Sequence, residues 1–328
     1  MKGRLSAGRL GRLLVGAGAL LVSMGASADE AWPVRPIRFV VPYAAGGGGD
    51  IVARVIAEKL PARLGQTVVV ENRVGGGGNV GAEAVFRANP DGYTLLATPQ
   101  GPLVVNKALY GKLGFDPDEL APVSLVAAAY SVLVVNPKVP AQTVAELVSL
   151  AKAQPDRLNY ASSGNGTTAH LAAELFKSAA GVRIVHVPYR GTGPAVADLL
   201  AGQVDLMVSE VSAAGPYIRD GRLRALAVGS EKPNPLMPGV PPLADTFPGM
   251  VAMTWHGLVA PPSTPAPIVA RLAAAVSEVV AQPETVRRLA ELGVVGIGGN
   301  PAELARFMRQ ERERWGRVIR DNGVKPAE

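Results

Sequence analysis

The sequence predicts an α/β fold, and three observations carry that prediction. Short β-branched apolar runs alternate with amphipathic runs, glycine- or serine-rich turns join them, and cap residues stand where the helices should begin. Residues 37–41 form the first strand-like run. Residues 51–64 follow with Ile51, Val55, Ile56 and Leu60 on one face and Arg54 and Glu58 on another, the period of a helix. Between them lies Pro42-Tyr43-Ala44-Ala45-Gly46-Gly47-Gly48-Gly49-Asp50. Asp50 is placed to cap the helix, and four glycines strip every Cβ from the turn. Open amides at the positive end of a helix dipole suit a small carboxylate. A tight turn that merely needs glycine is the plainer alternative.

The same unit then repeats. Residues 67–70 read as a strand, Gly75–Gly78 as a second glycine loop, and Asn79 as the cap of a helix over 80–88. Asn89-Pro90-Asp91-Gly92 is a turn, and residues 93–97 return as a strand, so the first sheet is expected to be parallel. Strands are predicted at 132–135, 159–161, 183–187, 204–208 and 224–228. Helices are predicted from the capping box at Thr143-Val144-Ala145-Glu146 to about 152, and over 169–180, 193–200 and 214–219. Pro233, Pro235, Pro238, Pro241, Pro242 and Pro248 forbid regular structure between 233 and 248, which reads as an extended crossing. A strand over 253–260 and helices over 266–281 and 284–292 follow. Asn300-Pro301-Ala302-Glu303 joins a cap, an N1 proline and an N3 glutamate at the head of a last helix reaching to about 322.

Composition narrows the function classes. Lys2, Arg4, Arg9 and Arg12, an apolar run over 13–24 and Ala26-Ser27-Ala28 read as a secretion signal over residues 1–28, cleaved after Ala28. The apolar run is shorter than the roughly 20 residues of a membrane span. Without cysteine no disulfide can form and no lipid-anchored cysteine follows the signal. A soluble periplasmic protein is expected. Setting aside the four basic residues before Asp29 leaves 29 Lys and Arg, of 33, against 27 Asp and Glu. These are dispersed and only 5% of residues are aromatic, so no nucleic-acid surface is indicated.

Several stretches together carry a resemblance at nearly full length. They are Trp32-Pro33-Val34-Arg35-Pro36-Ile37 with Val41 to Gly47, Glu71-Asn72-Arg73 with the Gly75–Gly78 loop and Gly81, and Asp91-Gly92-Tyr93-Thr94-Leu95-Leu96. Further along come Ser163-Gly164 with Thr168-Ala169-His170-Leu171, Val187-Pro188-Tyr189-Arg190-Gly191, and Ala197-Asp198-Leu199-Leu200 with Val204-Asp205. Arg222-Leu223-Arg224-Ala225-Leu226-Ala227-Val228 completes the set. In this order, after a secretion signal, the chain resembles the Bug-type receptors of tripartite tricarboxylate transporters.

The resemblance implies a two-lobed periplasmic binding fold of type II kind, each lobe a sheet flanked by helices. The chain would cross between lobes twice, near Leu125 to Ala129 and through the proline-dense segment. Residues 29–127 with 229–328 would form one lobe and 128–228 the other. It also implies a carboxylate held between lobes by backbone amides, a monomer, and an inner-membrane permease as partner. Carried over residue by residue, it points to Tyr43, Ala45 and Gly46, with the adjoining Gly47, and to Ser163, Thr167, Thr168 and Asp205. One departure stands out. Relatives often carry a Phe-Asp-Asn type run after Val204-Asp205, where this chain has Ser209-Glu210-Val211-Ser212-Ala213.

The residues themselves agree with capture rather than catalysis. The loop over 162–168 offers hydroxyls and two glycines ahead of a helix; a plain N-cap would explain Thr167 or Thr168 but not both. Asp205 is expected beside the cleft, either meeting an ammonium or capping a helix. Gln100 follows a strand end and is a further pocket candidate. Tyr189 and Arg190 are expected to brace the loop. The enzymatic alternative is a dinucleotide-binding protein using Gly76-x-Gly78-x-x-Gly81. Glu71 to Gly75 separate that motif from its strand, and no acidic strand end follows about 20 residues on. No Gly-x-Ser-x-Gly elbow exists, since Ala161-Ser162-Ser163-Gly164 lacks the first glycine. His170, His186 and His256 lack metal-ligand spacing, so they are expected to pack rather than ligate, and no cofactor is expected. Arg306, Arg309, Arg312, Arg314, Arg317 and Arg320 on the last helix read as a solvated face interleaved with Glu303, Glu311 and Glu313, or else as a docking surface for the permease.

Overall fold

The computed structural model describes residues 32–189 and 191–326. The predicted leader with its cleavage after Ala28, and Arg190, lie outside the described residues. Strand β1 (Ile37–Val41) leads to α1 (Gly48–Lys59), α2 (Pro61–Leu64), β2 (Val68–Asn72), a 3-10 turn at Gly76–Gly78 and α3 (Asn79–Phe86). Next come β3 (Thr94–Pro99), a wide helical turn at Gly101–Val105, α4 (Asn106–Tyr110) and the long β4 (Ala121–Val135). The middle of the chain gives α5 (Val144–Ala153), β5 (Asn159–Ser162), α6 (Thr168–Ala180), β6 (Val185–Pro188), α7 (Thr192–Ala201), β7 (Leu206–Glu210), α8 (Val211–Arg219) and β8 (Arg224–Val228). The tail gives β9 (Met253–Ala260), α9 (Ala266–Val280), α10 (Pro283–Glu291), β10 (Val295–Gly296) and α11 (Pro301–Asp321).

The strands run in the order β2-β1-β3-β9-β4-β7-β5-β6, with β8 and β10 also on β4. The parallel pairing predicted for the first sheet holds for β1 with β2 and β3, and β5 also runs parallel to β6 and β7. β4, β8, β9 and β10 are instead antiparallel to their partners. The reason is β4. Its 15 residues pass without interruption from one half of the sheet into the other. Ala121 to Tyr130 pair with β9, and Ser131 to Val135 pair with β7 and with β8, from Val132 on. Leu125 to Ala129, read as a crossing, are the middle of this strand.

The proline-dense segment is not itself a crossing. Met237 packs with Val132, Met207 and Val228, while Leu243, Met250 and Ala252 join the core of Tyr160, Ala173 and Phe176. The chain returns only at Ala252, which accepts from Ser131 N–H and donates to Gly229 O just before β9 begins.

Local chemistry explains where boundaries fall. The last helix starts as its motif predicts, with Asn300 accepting from Glu303 N–H and Glu303 from Asn300 N–H. At α5, Thr143 caps Glu146 N–H, but the Glu146 carboxylate reaches one residue further back, to Gln142 N–H. The arginines of α11 are not simply a solvated face. Arg312 pairs with Asp118 of the loop before β4 at 2.6 Å, and Arg314 lies over the Trp315 ring at 4.3 Å and pairs with Glu311. Burial pushes the Arg314 guanidinium below its ordinary range, while Glu311 works against that.

Candidate functional site

A cavity of about 570 Å³ lies where the two halves of the sheet meet. One wall comes from Tyr43, Gly76, Gly77, Gln100 and the Gly101–Tyr110 turns; the other comes from Ser163 to Ala169, Thr192 and the Met207–Glu210 end of β7. Thr254 of β9 and Ser131 of β4 close its floor.

On the first wall, Gly75, Gly76, Gly77 and Gly78 all adopt positive φ, which only glycine takes up without strain. Both the Tyr43 hydroxyl (3.2 Å) and the Asn106 side-chain amide (3.0 Å) donate to Gly77 O. That fixes the loop and leaves the N–H groups of Gly76 and Gly77 without a hydrogen-bond partner among the described residues. Burial, and then the neighbouring Tyr110, push the Tyr43 phenol well above its usual range, so it stays protonated.

On the second wall, β5 delivers the chain to a turn that opens α6. Thr167 is the cap: its hydroxyl donates to Gly164 O at 2.7 Å and accepts from His170 N–H. Thr168 does something different, accepting from the Gln100 side-chain amide at 3.3 Å across the cavity floor. Gln100 is fully engaged, since it also donates to Met253 O and accepts from Trp255 N–H. The Thr168 and Ala169 N–H groups head α6 with no partner among the described residues.

Of the residues singled out from sequence, Tyr43, Gln100, Ser163, Thr167 and Thr168 line the cavity. Ala45, Gly46 and Gly47 do not; they are exposed on the outer side of their turn. Asp50 is the cause. It is not the cap, which is Gly47, but a buried residue in the first turn of α1. Its carboxylate draws Gly46 N–H inward at 2.9 Å and is held by Arg54 (2.9 Å) and Asn72 (2.8 Å). Bonding to Arg54 above all lowers its pKa to about 2. A carboxylate under the corner already occupies the place envisaged for a bound anion.

Asp205 is likewise displaced. It precedes β7, at the end of that strand away from the cavity, where it accepts from Asn159 N–H at 3.0 Å and pairs with Lys138 at 3.5 Å. Neither a cap nor a cleft residue, it clamps β5 to β7. Sequence reasoning missed Glu210, at the other end of the same strand. It was visible only as a departure from the family run. It also missed α4, Thr192 and Thr254, which carry no motif.

Two glycines of Gly76-x-Gly78-x-x-Gly81 have packing reasons. A Cβ at Gly78 would lie 2.8 Å from Pro102, and one at Gly81 would lie 2.8 Å from Arg73 O and from Pro42. The histidines pack, as expected. His170 and His186 stack at 4.0 Å, and His186 Nε2 lies 2.7 Å from Ser162 Oγ. That pair resembles a nucleophile and its base, but Ser162 is fully buried beneath the cavity wall and does not line it. No group of three or more metal-ligating side chains occurs among the described residues.

A family model described as the tripartite tricarboxylate transporter family receptor matches residues 52–324. The chain belongs to that family. Protein BugT of Bordetella pertussis is 36% identical over 96% of this chain and 98% of its own length. Two solved structures share the fold. Rpa4515 of R. palustris, solved with adipate, is 35% identical, with a TM-score of 0.75 over 90% of this chain and 99% of that one. MatC of Rhodopseudomonas palustris, solved with bound malate, is 36% identical, with a TM-score of 0.71 over 88% and 99%. This chain has the two-lobed α/β fold of a periplasmic binding protein. No helix among the described residues is long and apolar enough to cross a membrane.

Proposed function

We propose that this receptor is secreted to the periplasm after cleavage behind Ala28, captures a small carboxylate between its lobes as a monomer, and delivers it to a membrane permease without transforming it. One observation carries the reading. The N–H groups of Gly76 and Gly77 on one wall, and of Thr168 and Ala169 on the other, are unclaimed donors bordering one cavity. The described lining residues include no Lys or Arg, so amides, hydroxyls and the α6 dipole would supply the positive potential. The adipate and malate named with the two solved relatives support a carboxylate as the guest. In this reading the first lobe, expected as 29–127 with 229–328, instead ends at Tyr130 and resumes at Ala252, because Leu243 and Met250 pack in the core of the second, expected as 128–228.

Thermal-shift and calorimetric titration with di- and tricarboxylates, acidic amino acids and aromatic acids tests the proposal, with NADH and FAD as controls. A carboxylate alone is expected to raise the melting temperature; a shift from a dinucleotide alone would favour the enzymatic alternative. Thr168→Ala is expected to weaken the carboxylate by about 10- to 100-fold, the worth of a hydrogen bond to a charged group. Thr168→Ser, which keeps the hydroxyl, is expected to bind within a few-fold of wild type. Unchanged affinity in the alanine variant would remove that hydroxyl from the site.

A further inference from the structure

Glu210 is the single side chain with a full charge among the described residues of the cavity wall; the other ionisable groups there are the phenols of Tyr43 and Tyr110. It ends β7 beside Thr254, whose hydroxyl donates to Oε1 at 3.0 Å. No hydrogen bond or ion pair among the described residues engages its second carboxylate oxygen. Its neighbours on the sheet are Ser131, opposite it on β4, and Ser209, neither of which brings a positive charge. Solvent reaches the side chain through the cavity mouth, yet the surrounding protein raises the carboxyl above its ordinary range, with the Thr254 bond only partly opposing this. A carboxylate in a cleft built to attract anions is a misfit unless the guest answers it.

We propose that Glu210 is a specificity-determining residue that receives an ammonium group, so that the receptor takes a zwitterionic amino carboxylate. This rests on the carboxylate reading above and deepens it. The guest's carboxylate would lie on the Thr168 and Ala169 amides at the head of α6, and its ammonium would donate to the open oxygen of Glu210. The two poles are joined through Gln100, whose amide nitrogen touches both Thr168 Oγ1 and the carbonyl of Met253, the neighbour of Thr254. A plain dicarboxylate would instead place a second negative charge against Glu210, and like charges in a partly desolvated cleft repel strongly.

The test is a set of matched pairs differing by one ammonium group: aspartate and succinate, glutamate and glutarate, 4-aminobutyrate and butyrate. They are titrated calorimetrically into the wild-type receptor and E210Q. Wild type is expected to bind at least one amino member 10-fold or more tighter than its partner. E210Q, which keeps the acceptor for Thr254, is expected to erase or reverse that preference. A wild type that prefers the deaminated members, or a preference that survives E210Q, overturns the inference while the carboxylate reading stands. Binding of no carboxylate by either protein overturns both. The wild-type pairs decide the matter even if the variant fails to fold.

Discussion

Glu311→Ala is expected to lower the unfolding free energy by about 3–5 kcal/mol, the cost of stranding a buried charge by removing its partner. Glu311 lies on the inner face of α11, where Oε2 accepts from the indoles of Trp255 (3.0 Å) and Trp315 (2.9 Å). Its other oxygen pairs with Arg314 at 3.2 Å. Both tryptophans are fully buried. Without the carboxylate, two buried indole N–H groups lose their acceptor at once, and the largely buried Arg314 guanidinium loses its counter-charge and keeps only Val251 O. Glu311→Gln retains one acceptor oxygen and is expected to cost about half as much. Urea unfolding checks both, and the midpoint should fall while the slope stays constant. A loss under about 1 kcal/mol in the alanine variant would show that this network is replaceable.

Acid is expected to destabilise the protein from about pH 6.5 downward through its buried histidines. Burial, and then the adjoining His170, lower the pKa of His186 from 6.5 to about 4; burial alone lowers that of His256 to about 4; and His170 is lowered chiefly by burial. A histidine held neutral in the fold contributes stability that is present in full above its unfolded pKa. That stability is lost as pH falls from about 6.5 toward 4, because the unfolded chain takes up the proton first. His186 and His256 each contribute about 1.4 kcal/mol per pH unit inside that window. With more than one responding, the loss between pH 7 and pH 5 is on the order of several kcal/mol. Asp50 acts only below this, as pH falls from 3.8 toward 2. Urea midpoints at pH 7 and pH 5 measure the effect, and identical values would mean that these imidazoles are open to protonation in the fold. The site should feel it too, because Gly166 N–H donates to the unprotonated Nδ1 of His170 at 3.0 Å. A proton there removes the bond that shapes the loop before Thr168.

Local signals in the sequence located nearly every element. The Asn300 box, the apolar period of 266–281 and the turn at Asn89 to Gly92 act within a few residues, so their reading carried into the fold. What failed was long-range. Whether β4 lies parallel or antiparallel depends on strands more than 100 residues away. The proline segment looked like a crossing because proline reports what a chain cannot be, not where it packs. The site divided in the same way. Thr167 and Thr168 could be set at the start of α6 because a helix start is local chemistry. The Gly46 corner lies outside the cavity because the Asp50 carboxylate holds it, gripped by the nearby Gly46 N–H and Arg54 and also by Asn72, which comes near only through β1 pairing with β2. Glu210 and Thr254 meet only across β4, so no spacing in the sequence could announce them.

The unbroken β4 has a last consequence. A polypeptide excised at Tyr130 or at Ala252 would present a raw seam where its inner ladder had been, so neither lobe is a separable module. The chain should therefore melt in a single calorimetric step, with matching van't Hoff and calorimetric enthalpies.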